Sequence, residues 1–88
     1  MKVLYDKKFL DDIHKIRDTK IKAKAIHILN LAHTSASIQD IPHVAKMNGH
    51  PNAFRIRLGS YRIGFFREKD TLVFVRFLHR REIYKFFP

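Results

Sequence analysis

The residues with the clearest chemical potential lie between Ala53 and Tyr84. Apolar residues alternate there with Arg55, Arg57 and Arg62, and this period of two places the arginines on one face of paired strands. Arginine binds phosphate through a planar, bidentate fork. His79 follows near the end of the segment, and histidine changes charge near neutral pH, which suits proton transfer. The segment therefore predicts a cationic surface that could bind a phosphate and move a proton.

Three strand-like runs must position these side chains. The first covers Ala53 to Leu58, and in the second Tyr61, Ile63 and Phe65 alternate with Arg62. The third, Leu72 to Leu78, is apolar except for one arginine, which is typical of a central strand covered on both faces. Gly59-Ser60 predicts a tight hairpin turn between the first two runs. Residues 67–71 predict a second, slightly longer hairpin loop. The three runs together predict an antiparallel meander whose last strand delivers the end of the chain to the edge of the arginine surface.

The first half of the chain predicts one strand and two helices. Lys2 to Tyr5 is β-prone, and it could pair beside either the first or the last strand of the meander. Apolar residues at helical spacing predict helices from Lys7 to about Arg17 and from Lys20 to about His33. Three residues of the first helix fall outside its apolar stripe and are predicted to face water: Asp11, Asp12 and Lys15.

Side chains that suit helix N-caps precede both helices. Asp6 suits the first helix, and Asp18 or Thr19 suits the second. The segment from Thr34 to Asn52 is rich in serine, asparagine, glycine and proline and predicts an irregular loop. Four apolar residues are expected to anchor that loop to the core: Ile38, Ile41, Val44 and Met47.

The order of elements predicts a single α+β domain over residues 1–88. Its N-terminal strand and αα-hairpin precede the three-stranded antiparallel meander, with the hairpin on one sheet face and the arginines on the other. Residues 83–88 form a short C-terminal tail. Phe86 and Phe87 in this tail either fold back onto the domain or form an exposed hook.

The charge distribution favours a nucleic-acid partner. The chain carries 18 basic and 8 acidic residues, a formal net charge of +10. Residues 46–88 hold 10 of the basic and 3 of the acidic residues, a net of +7, and seven of the ten are arginines. An arginine-rich surface points to phosphate recognition. Charge that only keeps a small domain soluble is the simpler alternative.

The absence of cysteine excludes disulfides, thiolate metal sites and cysteine nucleophiles. This composition fits a reducing compartment, and we expect a cytoplasmic protein. No apolar run approaches the ~20 residues that span a bilayer, so no membrane partner is expected. No acidic cluster or His-Glu-x-x-His spacing suggests a metal site, and no cofactor is expected.

Three motifs resemble the RelE/ParE toxin superfamily of bacterial toxin–antitoxin systems. They are Lys46–Pro51 leading into Phe54–Leu58, then Gly59–Ile63, and the closing stretch His79–Tyr84. The resemblance covers nearly the whole chain and implies a compact α+β fold like that of microbial RNases. The closing His-Arg-x-x-x-Tyr pattern is similar to the RelE branch, which cleaves mRNA in the A site of a translating ribosome. The resemblance therefore implies a ribosome-dependent mRNA endonuclease neutralised by a cognate antitoxin, with a toxin–antitoxin hetero-oligomer as a possible assembly.

Metal-independent RNA cleavage uses the 2′-hydroxyl as nucleophile and needs a base, an acid and cations that stabilise the phosphorane. By resemblance, Arg62 matches a catalytic arginine of the family most directly, and His79 is the acid–base candidate. Arg80 and Arg81 are adjacent, so either could be the second arginine of the family pattern. Arg80 is favoured for catalysis, and the other arginine could pair with Glu82.

Tyr84 completes the predicted catalytic group, either stacking on a base or orienting the 2′-hydroxyl. The residues expected to bind substrate phosphate are Arg55, Arg57, Arg81, Lys46 and His50. The first two occupy positions where some family members carry functional lysines, and arginine stays protonated, so neither is expected to act as a base. The remaining histidines suggest only surface or helix-end roles: His14, His27, His33 and His43.

Each assignment has a structural alternative. The arginines could be sheet-surface charge, His79 could only hydrogen-bond at a strand end, and Tyr84 could pack in the core with Phe86. Two other functions stay open. One is a ParE-like inhibitor of DNA gyrase, which the closing motif disfavours. The other is an RNA-binding or degenerate toxin without catalysis, which the arginine-for-lysine departures favour.

Overall fold

The computed structural model describes all 88 residues. Its elements, in chain order, are β1 (Lys2–Tyr5), α1 (Lys7–Lys15), α2 (Thr19–Thr34), a single 3₁₀ turn (Ile38–Asp40), β2 (Val44–Lys46), β3 (Ala53–Leu58), β4 (Tyr61–Glu68), β5 (Thr71–His79) and α3 (Ile83–Phe86). The domain is α+β, as the sequence predicts. None of its helices combines the length and the apolar composition needed to cross a bilayer.

The strands form one five-stranded sheet in the order β1-β5-β4-β3-β2. The predicted meander of β3, β4 and β5 is confirmed. Of the two possible neighbours of β1, the first and the last strand of the meander, the structure has the last, because β1 pairs in parallel with β5. A register shift between Gly64 and Phe65 lets Phe74 and Phe77, three residues apart, both reach the same core. β5 is therefore an interior strand, as its apolar composition indicates.

The prediction of an irregular loop from Thr34 to Asn52 is wrong in part, because residues 44–46 form β2 and pair antiparallel with residues 54–56. Three residues flanked by Pro42 and Gly49 are too few to show a period of two, so the pattern could not identify them. The second hairpin loop is also shorter than expected. Glu68 pairs directly with Thr71, which leaves a two-residue turn with Lys69 in the left-handed region at φ 56°.

Both helices begin at the predicted caps. The Asp6 carboxylate accepts a hydrogen bond from the Lys8 amide at 2.8 Å. Of the two candidates for α2, Asp18 is the cap, and it accepts from the amides of Lys20 and Ile21 at 3.0 and 3.2 Å. These bonds satisfy amides that have no partner inside the helix. Together α1 and α2 bury one face of the sheet in a single core whose centre includes Phe9, Ala25, Ile56, Phe65 and Phe74.

Asp12 does not face water, which corrects the prediction made from its helical position. It is only 5% exposed and accepts hydrogen bonds from the Arg76 guanidinium at 2.8 and 3.1 Å and from the Phe77 amide at 2.9 Å. The register of β1 with β5 ends at Phe74, so the following edge of β5 has no neighbouring strand. The Asp12 carboxylate supplies the missing acceptor, and its hydrogen bond raises the pKa of Arg76.

The chain end folds back onto the sheet face opposite α1 and α2. Phe87 is 2% exposed and packs with Met47, Ala53 and Ile83 in a second, smaller core. Phe86 is 56% exposed, and the Arg76 guanidinium lies over its ring, with Cζ 5.4 Å from the ring centroid. Of the two alternatives for the tail, Phe87 therefore folds back while Phe86 stays outside. This segment covers one part of the sheet face and leaves the arginine part open.

Candidate functional site

The arginine face lies at the end of the β3–β4 hairpin. Arg57 and Arg62 are directly opposite each other in the ladder, and Arg55 lies two residues before Arg57 on the same face. Their strand neighbours Ile56 and Ile63 point into the helix-side core. The alternation of the sequence thus predicts the placement of these three arginines correctly.

Arg62 is fixed by the backbone of its own hairpin. Its guanidinium donates to the carbonyl oxygens of Gly59 at 2.7 Å and Tyr61 at 2.9 Å. Gly59 adopts φ 57°, a left-handed conformation that glycine tolerates without strain and that the tight turn requires. The turn therefore fixes the planar fork of Arg62 through one nitrogen, which leaves its other donors without a hydrogen-bond partner in the protein.

The positive charges around Arg62 repel one another. Burial lowers the pKa of the Arg62 guanidinium, and the charges of Arg55, Arg57 and Arg80 lower it further, whereas Tyr84 acts in the opposite direction. The two ion pairs of the chain involve none of these arginines. Since arginine keeps its proton throughout, the cluster is an uncompensated set of fixed cations that a phosphate would stabilise.

Arg80 and Tyr84 reach this cluster from the chain segment after β5. The Arg80 amide donates to the Ser60 carbonyl at 2.7 Å, which extends the strand pairing past His79 and holds Arg80 beside the hairpin turn. Tyr84 lies on α3 and is 61% exposed. It does not pack in the core with Phe86, so that alternative is wrong.

His79 projects from the other face of the sheet. It is paired with Tyr61 in the ladder, and the two rings meet edge to face with centroids 5.7 Å apart. Tyr61 in turn packs edge-on against Phe77 and contacts the helix-side core. The His79 Nδ1 accepts a hydrogen bond from the Arg81 amide at 3.2 Å. The expected convergence of His79 with Arg62 is therefore absent from this arrangement.

The charged residues that follow β5 do not pair with one another as the sequence suggested. Glu82 forms its ion pair with Lys85 at 3.8 Å, so neither Arg80 nor Arg81 has the carboxylate partner that the sequence suggested. Arg81 is exposed beyond His79. The charged groups that follow β5 are thus available to a ligand.

Lys46 and His50 lie away from the arginine face. Lys46 is paired with Phe54, so it shares the helix-side face of the sheet. His50 is exposed in the turn before Ala53. Ala53 begins β3 and Arg57 lies four residues further on, so about 13 Å of strand separates His50's turn from Arg57 and from Arg62, its partner in the ladder. The fold gathers Arg55, Arg57, Arg62, Arg80 and Tyr84 and leaves these two outside.

The sequence did not predict two features that border the arginine face, the Phe87 segment and a groove beside Arg57. The fold-back of Phe87 onto Gly64 forms one border of the open face, and only the glycine in an otherwise large-residue strand hinted at a close approach. His27 and His43 had no apparent site role, yet both line a groove beside Arg57. Their separation in the chain left no spacing signal.

The comparisons with known proteins show the family and the fold. A family model described as the ParE toxin of the type II toxin–antitoxin system parDE matches residues 3–84. Toxin RelE3 of Methanocaldococcus jannaschii is 38% identical over 89 residues, covering 100% of both chains. The solved structure of the RelB–RelE antitoxin–toxin complex from Methanococcus jannaschii aligns with a TM-score of 0.84 and 34% identity, covering 97% of this chain and 99% of that one.

A more distant structure shares only the fold. The archaeal RelE–RelB complex from Pyrococcus horikoshii aligns with a TM-score of 0.72 at 14% identity, covering 90% of this chain and 93% of that one. The family model and the 38% identical relative show a toxin of the type II toxin–antitoxin class. Within that class, the chain belongs to the RelE/ParE toxin superfamily, as its sequence motifs imply.

Proposed function

We propose that this toxin is a ribosome-dependent mRNA endonuclease that cleaves by metal-independent attack of the 2′-hydroxyl. The observation that carries the proposal is the cluster of Arg55, Arg57 and Arg80 around Arg62, without a carboxylate in an ion pair and with Tyr84 beside it. Fixed cations at a phosphate are the largest requirement of this chemistry, because the phosphorane carries more negative charge than the ground state.

The reaction balances as a transesterification within the RNA. The 2′-oxygen forms a bond to phosphorus while the bond to the 5′-oxygen breaks, which leaves a 2′,3′-cyclic phosphate and a 5′-hydroxyl. One proton leaves the 2′-hydroxyl and another is delivered to the 5′-oxygen. Arg62 and Arg80 stabilise the phosphorane, and Arg55 and Arg57 hold the neighbouring backbone.

Proton transfer falls to Tyr84 in this arrangement. Its phenol lies within electrostatic reach of Arg62, and phenols are among the side chains used as general acids and bases. His79, held between Tyr61 and the Arg81 amide on the other face, is better placed to shape the end of β5. Of the two proton transfers, from the 2′-hydroxyl and to the 5′-oxygen, Tyr84 carries out one and a ribosomal group the other.

The proposed partners follow from charge and relationship. The related structures named above are RelB–RelE complexes, and we propose a cognate antitoxin for this chain too. A net charge of +10 favours an antitoxin segment with acidic residues through electrostatic complementarity. The same charge favours the ribosome and mRNA as partners, and we propose a cytoplasmic location on that ground.

A second candidate is inhibition of DNA gyrase. It is favoured by the matching family model, which is described as the ParE toxin. The gathered Arg62, Arg80 and Tyr84 favour phosphate chemistry instead, since a protein–protein inhibitor needs no such cluster.

Primer extension on a translated mRNA after induction of the toxin separates the two. The endonuclease gives new 5′-ends inside the reading frame that require translation. Loss of plasmid supercoiling by gyrase without new mRNA ends would favour the second candidate and contradict the first. Co-expression of the neighbouring antitoxin gene product should restore growth in either case.

A further inference from the structure

A groove of about 630 Å³ lies between α2, the loop before β2 and the end of β3. Its volume falls in the roughly 300–1,000 Å³ range of small-ligand sites. Ile28 and Leu58 contribute an apolar floor, and the rim carries Lys24, His27, His43 and Arg57. The lining includes no carboxylate. An apolar floor under a basic rim suits a ligand that combines a flat, weakly polar ring with an anion.

The groove and the arginine face meet at Arg57. Arg57 lines the groove and is also the cross-strand partner of Arg62. The ladder of β2 with β3 ends at Ile56, and the loop that carries His43 borders the edge of β3 beyond it. A phosphate backbone bound at Arg62 can therefore continue over this edge towards Lys24 and His27.

His43 adds a conformational observation. It has φ 60°, a left-handed conformation that is uncommon for a residue with a side chain and that tends to occur at functional sites. Its carbonyl accepts a hydrogen bond from the Arg57 amide at 3.2 Å, which ties the loop to the end of β3. The bond holds the imidazole at the groove in spite of the unfavourable backbone.

We propose that this groove binds one nucleotide of the RNA, next to the nucleotide whose phosphate lies at Arg62. The base lies on Ile28 and Leu58, the phosphate contacts the basic rim, and the imidazoles of His27 and His43 flank the base, as histidine does in single-strand recognition. The inference rests on the proposed RNA substrate and extends it to a second nucleotide position.

Adenosine 5′-monophosphate tests the groove on the whole chain. In NMR titrations it should shift the imidazole resonances of His27 and His43 and leave those of His14, on α1, in place. Lys24→Ala should weaken binding by roughly tenfold, the equivalent of one charge-assisted hydrogen bond. His27→Ala should weaken it by roughly tenfold as well, through the loss of one contact between an aromatic ring and the base. The matched controls Lys15→Ala and His14→Ala remove the same groups from α1 and should change the affinity less than about twofold.

His43→Gly keeps the test independent of folding. Glycine accepts φ 60° without strain, so this variant should fold at least as well as the wild type while it loses nucleotide affinity. Unchanged affinity in a folded His43→Gly variant would count against the groove. Equal affinities for inorganic phosphate and adenosine 5′-monophosphate would overturn the base contact.

Two further outcomes separate this inference from the proposed function. A chain that cleaves translated mRNA but binds no adenosine 5′-monophosphate at the groove would overturn the inference alone. A chain that binds the nucleotide there but cuts no mRNA would sustain the groove and contradict the endonuclease. Binding of a glutamate- and leucine-containing peptide in place of the nucleotide would overturn the proposal in favour of a protein partner.

Discussion

Arg57 lies directly opposite Arg62 across the β3–β4 ladder. Like charges directly opposite each other repel and destabilise the pair. The repulsion is concentrated where we place the RNA phosphate. The presence of two guanidinium groups on one face therefore lowers the stability of the sheet locally.

Replacing Arg57 by threonine should stabilise the free protein and weaken RNA binding. Relief of the like-charge pair and the good strand propensity of threonine are together worth roughly 0.2–1 kcal/mol in the free energy of unfolding. Urea denaturation checks the first effect, and the salt dependence of RNA affinity, which should become shallower by about one phosphate contact, checks the second. Arg17→Thr, outside the sheet, is the control, and a destabilised Arg57→Thr would contradict the repulsion.

Arg62→Lys should separate geometry from charge. Lysine keeps the positive charge but has no planar fork, so it cannot hold the carbonyls of Gly59 and Tyr61 and a phosphate at the same time. We expect single-turnover cleavage to slow by roughly 10²- to 10³-fold, as on removal of an oxyanion donor, with a much smaller change in affinity. A rate close to that of the wild type would show that charge alone suffices.

Tyr84→Phe and His79→Ala distinguish the two acid–base candidates. Tyr84→Phe removes only the hydroxyl and should slow single-turnover cleavage by roughly 10²- to 10⁴-fold, the usual effect of losing a general acid or base. His79→Ala should slow it by less than about tenfold, because the ring lies with Tyr61 on the opposite face. The reverse order of the two losses would restore His79 as the proton-transfer group.

Local patterns predict most of this fold. The meander follows from the alternation around Ile56 and Ile63, and the helices follow from their apolar stripes and from Asp6 and Asp18. The same alternation places Arg55, Arg57 and Arg62 together, because residues on one face of adjacent strands are necessarily neighbours.

The remainder depends on contacts distant in sequence. His79 and Leu78 are consecutive, and only the register with β4 decides which of them faces the arginines. The helical pattern predicts that Asp12 is exposed. It is buried because it packs against β5, where its partner Phe77 lies 65 residues further along the chain. The fold-back of Phe87 likewise depends on the space that Gly64 leaves on the sheet.

Asp12→Asn should destabilise the fold far more than its exposed neighbour. Asparagine lacks the charge that pairs with Arg76, and its amide cannot serve all three donors that the carboxylate satisfies. Breaking a buried pair removes roughly 3–5 kcal/mol, and because the Arg76 side chain is 20% exposed we expect about 3 kcal/mol. The matched control Asp11→Asn should change the free energy of unfolding by less than about 0.5 kcal/mol. Similar losses for both variants would contradict the role of Asp12 at the edge of β5.

Gly64→Ala should loosen the C-terminal segment. An added Cβ would come within about 2.5 Å of the Phe87 ring, and overpacking of this kind destabilises by roughly 1–3 kcal/mol. In a Phe87→Ala background the clash is gone, so the same substitution should become neutral or stabilise by about 0.4–1 kcal/mol, because alanine restricts the unfolded chain. The double-mutant cycle in urea measures this change of sign. Equal effects of Gly64→Ala in the two backgrounds would mean that Phe87 does not occupy the sheet face above Gly64.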